Sequence, residues 1–170
     1  GGGVSLAGLQ IAKMIGARAI VTSRDDGKLE RALQMGADAA VNGRTEDVAK
    51  RVLALTGGRG VDVVLENVGA AVWPAALKSL VRGGRIVTCG ATSGDQPGAD
   101  LRRVFIRQLQ ILGSTLGDLH ELHALLAFVT RHGIRPVIDS TWPLAQVHAA
   151  LDRLASGAQF GKVAIDIGAA

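Results

Sequence analysis

Three glycines at the start of this chain, Gly1-Gly2-Gly3-Val4-Ser5, run straight into an apolar-periodic stretch from Leu6 to Ile15. Glycine at a strand-to-helix turn permits positive φ and lets backbone N–H groups approach a ligand with no Cβ in the way. A helix that starts there turns the positive end of its dipole toward whatever the turn holds, which suits a diphosphate. Gly2, Gly3 and Val4 are therefore candidate phosphate-binding residues of a dinucleotide site. Such a site is tested at the end of the next strand. There a carboxylate takes the adenosine ribose hydroxyls, or a small polar residue followed by a cation takes a 2′-phosphate. The chain has Thr22-Ser23-Arg24 at that place, with Lys28 on the helix that follows. Ser23 puts a hydroxyl where the carboxylate would stand, Arg24 can bind phosphate through two parallel N–H bonds, and Lys28 adds a second cation. The pattern predicts NADP(H) in preference to NAD(H), against the opposing field of Asp25 and Asp26.

The other reactive side chains do not assemble by spacing. His120 and His123 flank Glu121 near a metal-binding interval, but no third ligand follows. His132 stands before Gly133 at a helix C-terminus, where a cation suits the dipole, and His148 falls on a helix surface. Cys89 is the one cysteine, which excludes an internal disulfide framework and a cysteine zinc cluster within this segment. With nothing beside it to stabilise a thiolate, it reads as a plain buried thiol unless a ligand claims it. No Ser/His/Asp set is placed, so no catalytic residue and no metal ligand is assigned.

The elements that must position these residues follow from composition and period. With 48% hydrophobic and 20% charged residues over 170, the chain can bury a full core. Its apolar runs fall well short of the ~20 residues a membrane helix needs, and no charged-then-apolar leader opens it. A cytoplasmic protein with no membrane partner is expected. The net charge of +4 comes from scattered Lys and Arg accompanied by two tryptophans and three phenylalanines. A solvated basic surface fits that pattern better than a nucleic-acid partner. Arg102, Arg103 and Arg107 sit at helical spacing beside Val104, Phe105 and Ile106, as an amphipathic helix would place them.

Helical and strand periods alternate along most of the chain. Val4, Ala7, Ile11 and Met14 mark one helical face, and Arg18 to Thr22 reads as a short strand. Lys28 to Met35 is a helix stopped by Gly36. Ala39 to Val41 is a strand, Asp47 to Leu55 a helix, and Val61 to Leu65 a β-branched strand. Val72, Ala76, Leu77, Leu80 and Val81 form a helical stripe broken by Gly83-Gly84, and Arg85 to Cys89 is the next strand. Leu101 to Leu109 and Gln110 to Thr115 repeat the pattern. Such alternation implies parallel βαβ units in a doubly wound Rossmann sheet with helices on both faces. In the strand order 3-2-1-4-5-6 the strand ahead of the glycine turn lies mid-sheet, and this chain lacks it. The natural protein is therefore expected to be longer, with a strand and a whole domain upstream. After Gly117 the rhythm changes. Leu119, Leu122, Leu126 and Val129 form a helix, Val137 to Asp139 a short extended piece, Leu144, Val147, Leu151 and Leu154 a last helical stripe, and Val163 to Ile167 a terminal strand. The boundary is set at Ile134: residues 1–134 are the dinucleotide-binding domain and 135–170 a segment returning to the missing upstream domain.

Several stretches carry a family resemblance, in order and over nearly the whole chain. They are Gly1 to Lys13, Lys28-Leu29-Glu30-Arg31-Ala32, Met35-Gly36-Ala37-Asp38, Gly60-Val61-Asp62-Val63-Val64, Gly83-Gly84-Arg85-Ile86-Val87, Leu112-Gly113-Ser114 and Phe160-Gly161-Lys162-Val163. The chain resembles the C-terminal half of a medium-chain dehydrogenase/reductase, the superfamily of alcohol dehydrogenases and quinone oxidoreductases. The resemblance implies that Asn67 and Val68, then Cys89, Gly90 and Ala91, hold the nicotinamide half of the cofactor, and that Lys162 approaches it from the closing segment. It implies hydride transfer between nicotinamide and a carbonyl, alcohol or quinone/enone substrate, with an upstream GroES-like catalytic domain that residues 135–170 complete. Zinc would enter only through ligands of that absent domain, and this segment alone is expected to be inactive. Dimers or tetramers are implied through the edge strand near residues 110–115. The sequence departs from the family at Ser5, where a glycine is usual, and at Gly43, where quinone-type reductases often carry a tyrosine that Arg44 could replace. A non-catalytic nucleotide-binding relative or sensor is an alternative, and a methyltransferase-like domain a weaker one, since it would want an acid near Ser23.

Overall fold

The computed structural model describes residues 1–168, so the last two residues of the expected return segment, 169 and 170, lie outside it. Helices and strands alternate in the order α1 (Gly3–Met14), β1 (Ile20–Ser23), α2 (Asp26–Gln34), β2 (Ala39–Asn42), α3 (Val48–Leu55), β3 (Val61–Glu66), α4 (Trp73–Ser79), β4 (Leu80–Thr88), α5 (Leu101–Arg107) and β5 (Gln110–Gly113). They continue with α6 (Leu119–His132), β6 (Ile138–Pro143), a single 3₁₀ turn, α7 (Val147–Ala155) and β7 (Lys162–Asp166). Side-chain caps start most of the helices. Asp25, Asp47 and Asp100 accept the third-residue N–H of α2, α3 and α5, and Asp118 with Glu121 closes a reciprocal capping box on α6.

All strand pairs are parallel. β1 pairs with β2, β3–β4–β5 form a second sheet, and β6 pairs with β7 in a third. The break between β1 and β3 falls where the expected order puts the strand ahead of the glycine turn, and each of these strands keeps one edge unpaired among the described residues. Helix α1 spans the break. Its Leu9 packs with Ala32 and Ala37 against Val21 of β1, while Gly8 lies against Leu65 of β3. On the other face of β3, Val64 packs into the main core of Trp73, Ala76, Leu77, Leu80, Ile86 and Leu109, which Val61 also meets ahead of the irregularity at the start of the strand. Neighbouring residues of a strand point to opposite faces, so Val64 and Leu65 put α4 and α1 on the two sides. The domain is a doubly wound α/β fold of Rossmann type.

Several expectations need correction. Leu80 and Val81 belong to β4, not to the helical stripe. Leu80 is extended, fully buried and paired with Val61, and Gly83-Gly84 is absorbed as a register shift inside the strand pair instead of ending an element. The buried face of α1 is Leu6 and Leu9, whereas Val4 is exposed, because the helix meets the sheet through Gly8. Arg18 precedes β1 and donates to the Leu55 carbonyl at 2.9 Å. β6 runs on to Pro143, well beyond Asp139. The stripe Leu119, Leu122 and Leu126 is helical as expected but solvent-exposed. Cys89 is exposed at the end of β4, not a buried thiol.

Candidate functional site

Parallel strands bring their C-terminal ends to one rim, and ligands of doubly wound sheets bind there. The N-terminus of α1 differs from those of α2, α3, α5 and α6. Its N-cap, Gly2, offers no side-chain acceptor and its first turn holds no acid, so the opening N–H groups are left without a side-chain partner. A cation lies beside it. A Cβ built on Gly3 would stand 2.5 Å from Cε and 3.0 Å from Nζ of Lys162. Lys162 forms no ion pair among the described residues. An ammonium set against the positive end of a helix dipole is unfavourable in itself, and an anion between them removes the conflict. A Cβ on Gly2 would meet nothing within 4 Å, so the outer side of the turn is open. These residues fit a diphosphate.

Lys28 also reaches the turn. Its Cδ would lie 2.8 Å from a Cβ on Gly1, and its ammonium donates to the Gly157 carbonyl. At the end of β1, Ser23 Oγ accepts the Asp25 N–H at 3.2 Å and the Ser23 carbonyl accepts the Gly43 N–H at 2.8 Å. The two acids that would oppose a 2′-phosphate are both engaged: Asp25 caps α2, and Asp26 Oδ1 accepts Asn42 Nδ2 at 2.6 Å. Arg24 and Arg44 are exposed, the latter's N–H donating to Asn42 Oδ1 at 2.9 Å.

At the ends of β3 and β4 the site is made of backbone. Glu66 is 3% exposed, and its Oε1 accepts the N–H groups of Val68 at 2.5 Å and Gly69 at 2.7 Å. The Cys89 N–H donates to the Glu66 carbonyl at 3.0 Å, Ser93 Oγ donates to the Val68 carbonyl at 2.6 Å, and the Ala70 N–H donates to the Gly94 carbonyl at 2.9 Å. Gly69 has φ +90, and a Cβ there would lie 2.3 Å from the Gly94 oxygen; one on Gly90 would lie 3.0 Å from the Asn67 oxygen. Asn67, Val68, Cys89, Gly90 and Ala91 are thereby brought into one hydrogen-bonded pair of loops.

Gly2, Gly3, Val4, Lys28 and Lys162 form one cluster, Ser23 and Arg24 its flank, and the loop pair a second cluster at the ends of β3 and β4. Four contributors were missed from the sequence. Glu66 could have been noticed as an acid closing an apolar strand, because a buried carboxylate demands donors. Asp139, Arg153 and Arg31, which stand behind Phe160, gave no local signal. Among the described residues no three His, Cys, Asp or Glu side chains come together as metal ligands, and no helix is long and apolar enough to cross a membrane.

Residues 3–131 match the family profile described as zinc-binding dehydrogenase. The chain is 32% identical over 171 residues to a zinc-type alcohol dehydrogenase-like protein of Schizosaccharomyces pombe, covering 98% of this chain and 49% of that protein. It is 42% identical over 100 residues to a quinone oxidoreductase of Salmonella typhimurium, covering 59% of this chain and 31% of that one. Among solved structures it resembles an NAD-dependent alcohol dehydrogenase with TM-score 0.89 and 40% identity, over 97% of this chain and 48% of that chain. The chain thus spans about half the length, or less, of these relatives.

Proposed function

Because the chain belongs to the zinc-binding dehydrogenase family, we propose that it is the NADP(H)-binding portion of an oxidoreductase acting on a carbonyl, alcohol or quinone/enone substrate. The observation that carries this reading is the uncapped first turn of α1 with Lys162 set against Gly3. Gly2, Gly3 and Val4 bind the diphosphate through backbone N–H groups, and Lys162 neutralises it. Asn67 hydrogen-bonds the nicotinamide ribose, and Val68 with Cys89, Gly90 and Ala91 packs the ring and meets its carboxamide. The bound cofactor supplies the hydride; the residues of this chain orient it. Substrate binding and any zinc belong to an upstream catalytic domain, which residues 135–170 complete. The enzyme works in the cytoplasm as a homodimer or tetramer built on β5, a strand exposed along its length with one edge unpaired among the described residues.

Preference for NADP(H) is supported by Ser23 in place of an acid, by exposed Arg24, and by Asp25 and Asp26 being held by other partners. A second reading, NAD(H), is favoured by one contact: the Lys28 ammonium is already taken by Gly157, leaving Arg24 as the main cation for a 2′-phosphate. NADPH and NADH titrations by fluorescence on the intact protein, with Arg24→Ala and Ser23→Asp, separate the two. NADPH affinity falling about tenfold in Arg24→Ala, with NADH affinity held within twofold, is the expected result, equivalent to one charge-assisted phosphate contact. Equal small losses for both would establish NAD(H), and no binding of either would leave a non-catalytic relative.

A further inference from the structure

Residues 157–162 cross the glycine turn as a strap, and every contact that holds it is made by something other than the Lys162 side chain. Lys28 donates to the Gly157 carbonyl, and the Gly161 N–H donates to the Gly1 carbonyl at 2.8 Å. The Arg31 guanidinium lies 4.1 Å from the centroid of the Phe160 ring, a side chain only 2% exposed. The Phe160 N–H donates to Asp139 Oδ1 at 2.9 Å. The side chain of Asp139 in β6 is buried, 2% exposed, although the residue as a whole is half-buried. Its carboxylate takes Arg153 of α7 through Nε at 2.5 Å and Nη2 at 2.9 Å, and Ser140 Oγ at 3.0 Å. The strap has little freedom beyond this point. Gly161 has φ +107, a Cβ there would lie 2.3 Å from the Val137 oxygen, and the Lys162 N–H donates to that same carbonyl at 2.8 Å.

Resting on the cofactor reading above, we infer that Asp139 and Arg31 are positioning residues for the diphosphate, fixing Phe160 and Gly161 so that Lys162 is delivered over the first turn of α1. A lysine side chain samples many rotamers, and its ion contact weakens when its backbone origin drifts by an ångström. A surface strap would not hold the origin that well. A charged pair is also an expensive way to stabilise a fold, since apolar residues of similar volume often do as well. What the carboxylate adds here is direction: it aims one backbone N–H two residues before the lysine. The β6–α7–β7 unit is thereby coupled to the occupancy of the glycine turn.

The test is a pair of double-mutant cycles in the intact protein: Asp139→Asn with Lys162→Met, and Arg31→Ala with Lys162→Met. The ligands are whichever of NADPH and NADH binds more tightly and, as a reference lacking the diphosphate, adenosine as competitor. Each single variant is expected to weaken the dinucleotide about five- to tenfold, leave adenosine within twofold, and add nothing once Lys162 is already Met. Additive losses in the cycle, or equal losses for dinucleotide and adenosine, would make Asp139 and Arg31 merely structural and overturn the inference. Should Asp139→Asn fail to fold, the Arg31→Ala cycle decides by the same criterion, because Arg31 is on the surface. Wild-type protein that binds neither dinucleotide overturns the cofactor reading, and the inference with it; wild-type binding with an additive cycle overturns the inference alone.

Discussion

At the glycine turn the chain closes with long charged side chains: Lys28 and Arg31 of α2 hold the strap that carries Lys162, and the half-exposed Arg153 pairs with the buried carboxylate of Asp139 behind it. At the ends of β3 and β4 it closes with backbone: Glu66 gathers two N–H groups, Gly69 and Gly94 meet through main-chain atoms, and no lysine or arginine hydrogen-bonds there among the described residues. The contrast follows from what each end would hold. A diphosphate is recognised by charge, which long hydrated cations supply only when something else holds them in place. A flat neutral ring is recognised by shape and by a few fixed hydrogen bonds, which rigid backbone supplies without charge.

The sharpest way to break the comparison is at the backbone end. Gly69→Val places a side chain at φ +90 against the Gly94 oxygen; a loss of about 4 kcal/mol in urea-monitored unfolding is expected, from left-handed strain plus the clash. Glu66→Leu leaves the buried Gly69 N–H and the part-buried Val68 N–H without an acceptor. That should cost about 2–3 kcal/mol, and Glu66→Gln, which keeps an acceptor, about half as much. Any accompanying loss of cofactor affinity should be independent of salt.

The charged end should yield less, and in a different currency. The Arg153 guanidinium, with help from the Phe160 N–H, holds the Asp139 carboxyl far below the usual carboxylate range. A carboxyl depressed in the folded state stabilises it above the unfolded pKa and loses that contribution as pH falls toward the folded value. Asp139→Asn should thus cost roughly 2 kcal/mol, below the figure for a fully buried pair because the Arg153 side chain is 37% exposed. The gap between wild type and variant should be constant from pH 7 to 5 and shrink below about pH 4, as read by thermal unfolding across that range. The smallest effect is on salt: raising ionic strength should weaken dinucleotide binding to wild type, and Lys162→Met should flatten that slope. An unchanged slope would show that Lys162 meets no phosphate.

Much of this was legible along the chain because it is local. Asp25 and Asp47 declare helix starts, β-branched runs declare strands, and a glycine turn before an apolar period declares a phosphate cradle. Where reading failed, the deciding contact came from afar. Val81 looks helical until Leu80 is seen pairing with Val61, and the apolar face of α1 is misjudged until Gly8 meets Leu65. Cys89 has the composition of a core residue, yet the end of a parallel strand leaves it exposed at the rim.

Periodicity, turn chemistry and the order of motifs are properties of neighbouring residues, so the sequence by itself determined the alternating elements, the parallel class, and Gly2, Gly3, Ser23 and Arg24 as site candidates, with Lys162 added by the family resemblance of its segment. Only the tertiary structure decided how those candidates are held. Asp139 and Phe160 are 21 residues apart and Glu66 and Thr88 are 22 apart, and Phe160 lies still farther along the chain from Arg31, whose guanidinium covers its ring. Contacts at such separations have no period to betray them: they exist because packing brings distant backbone together, and a buried charge or an unpaired N–H must then find a partner there.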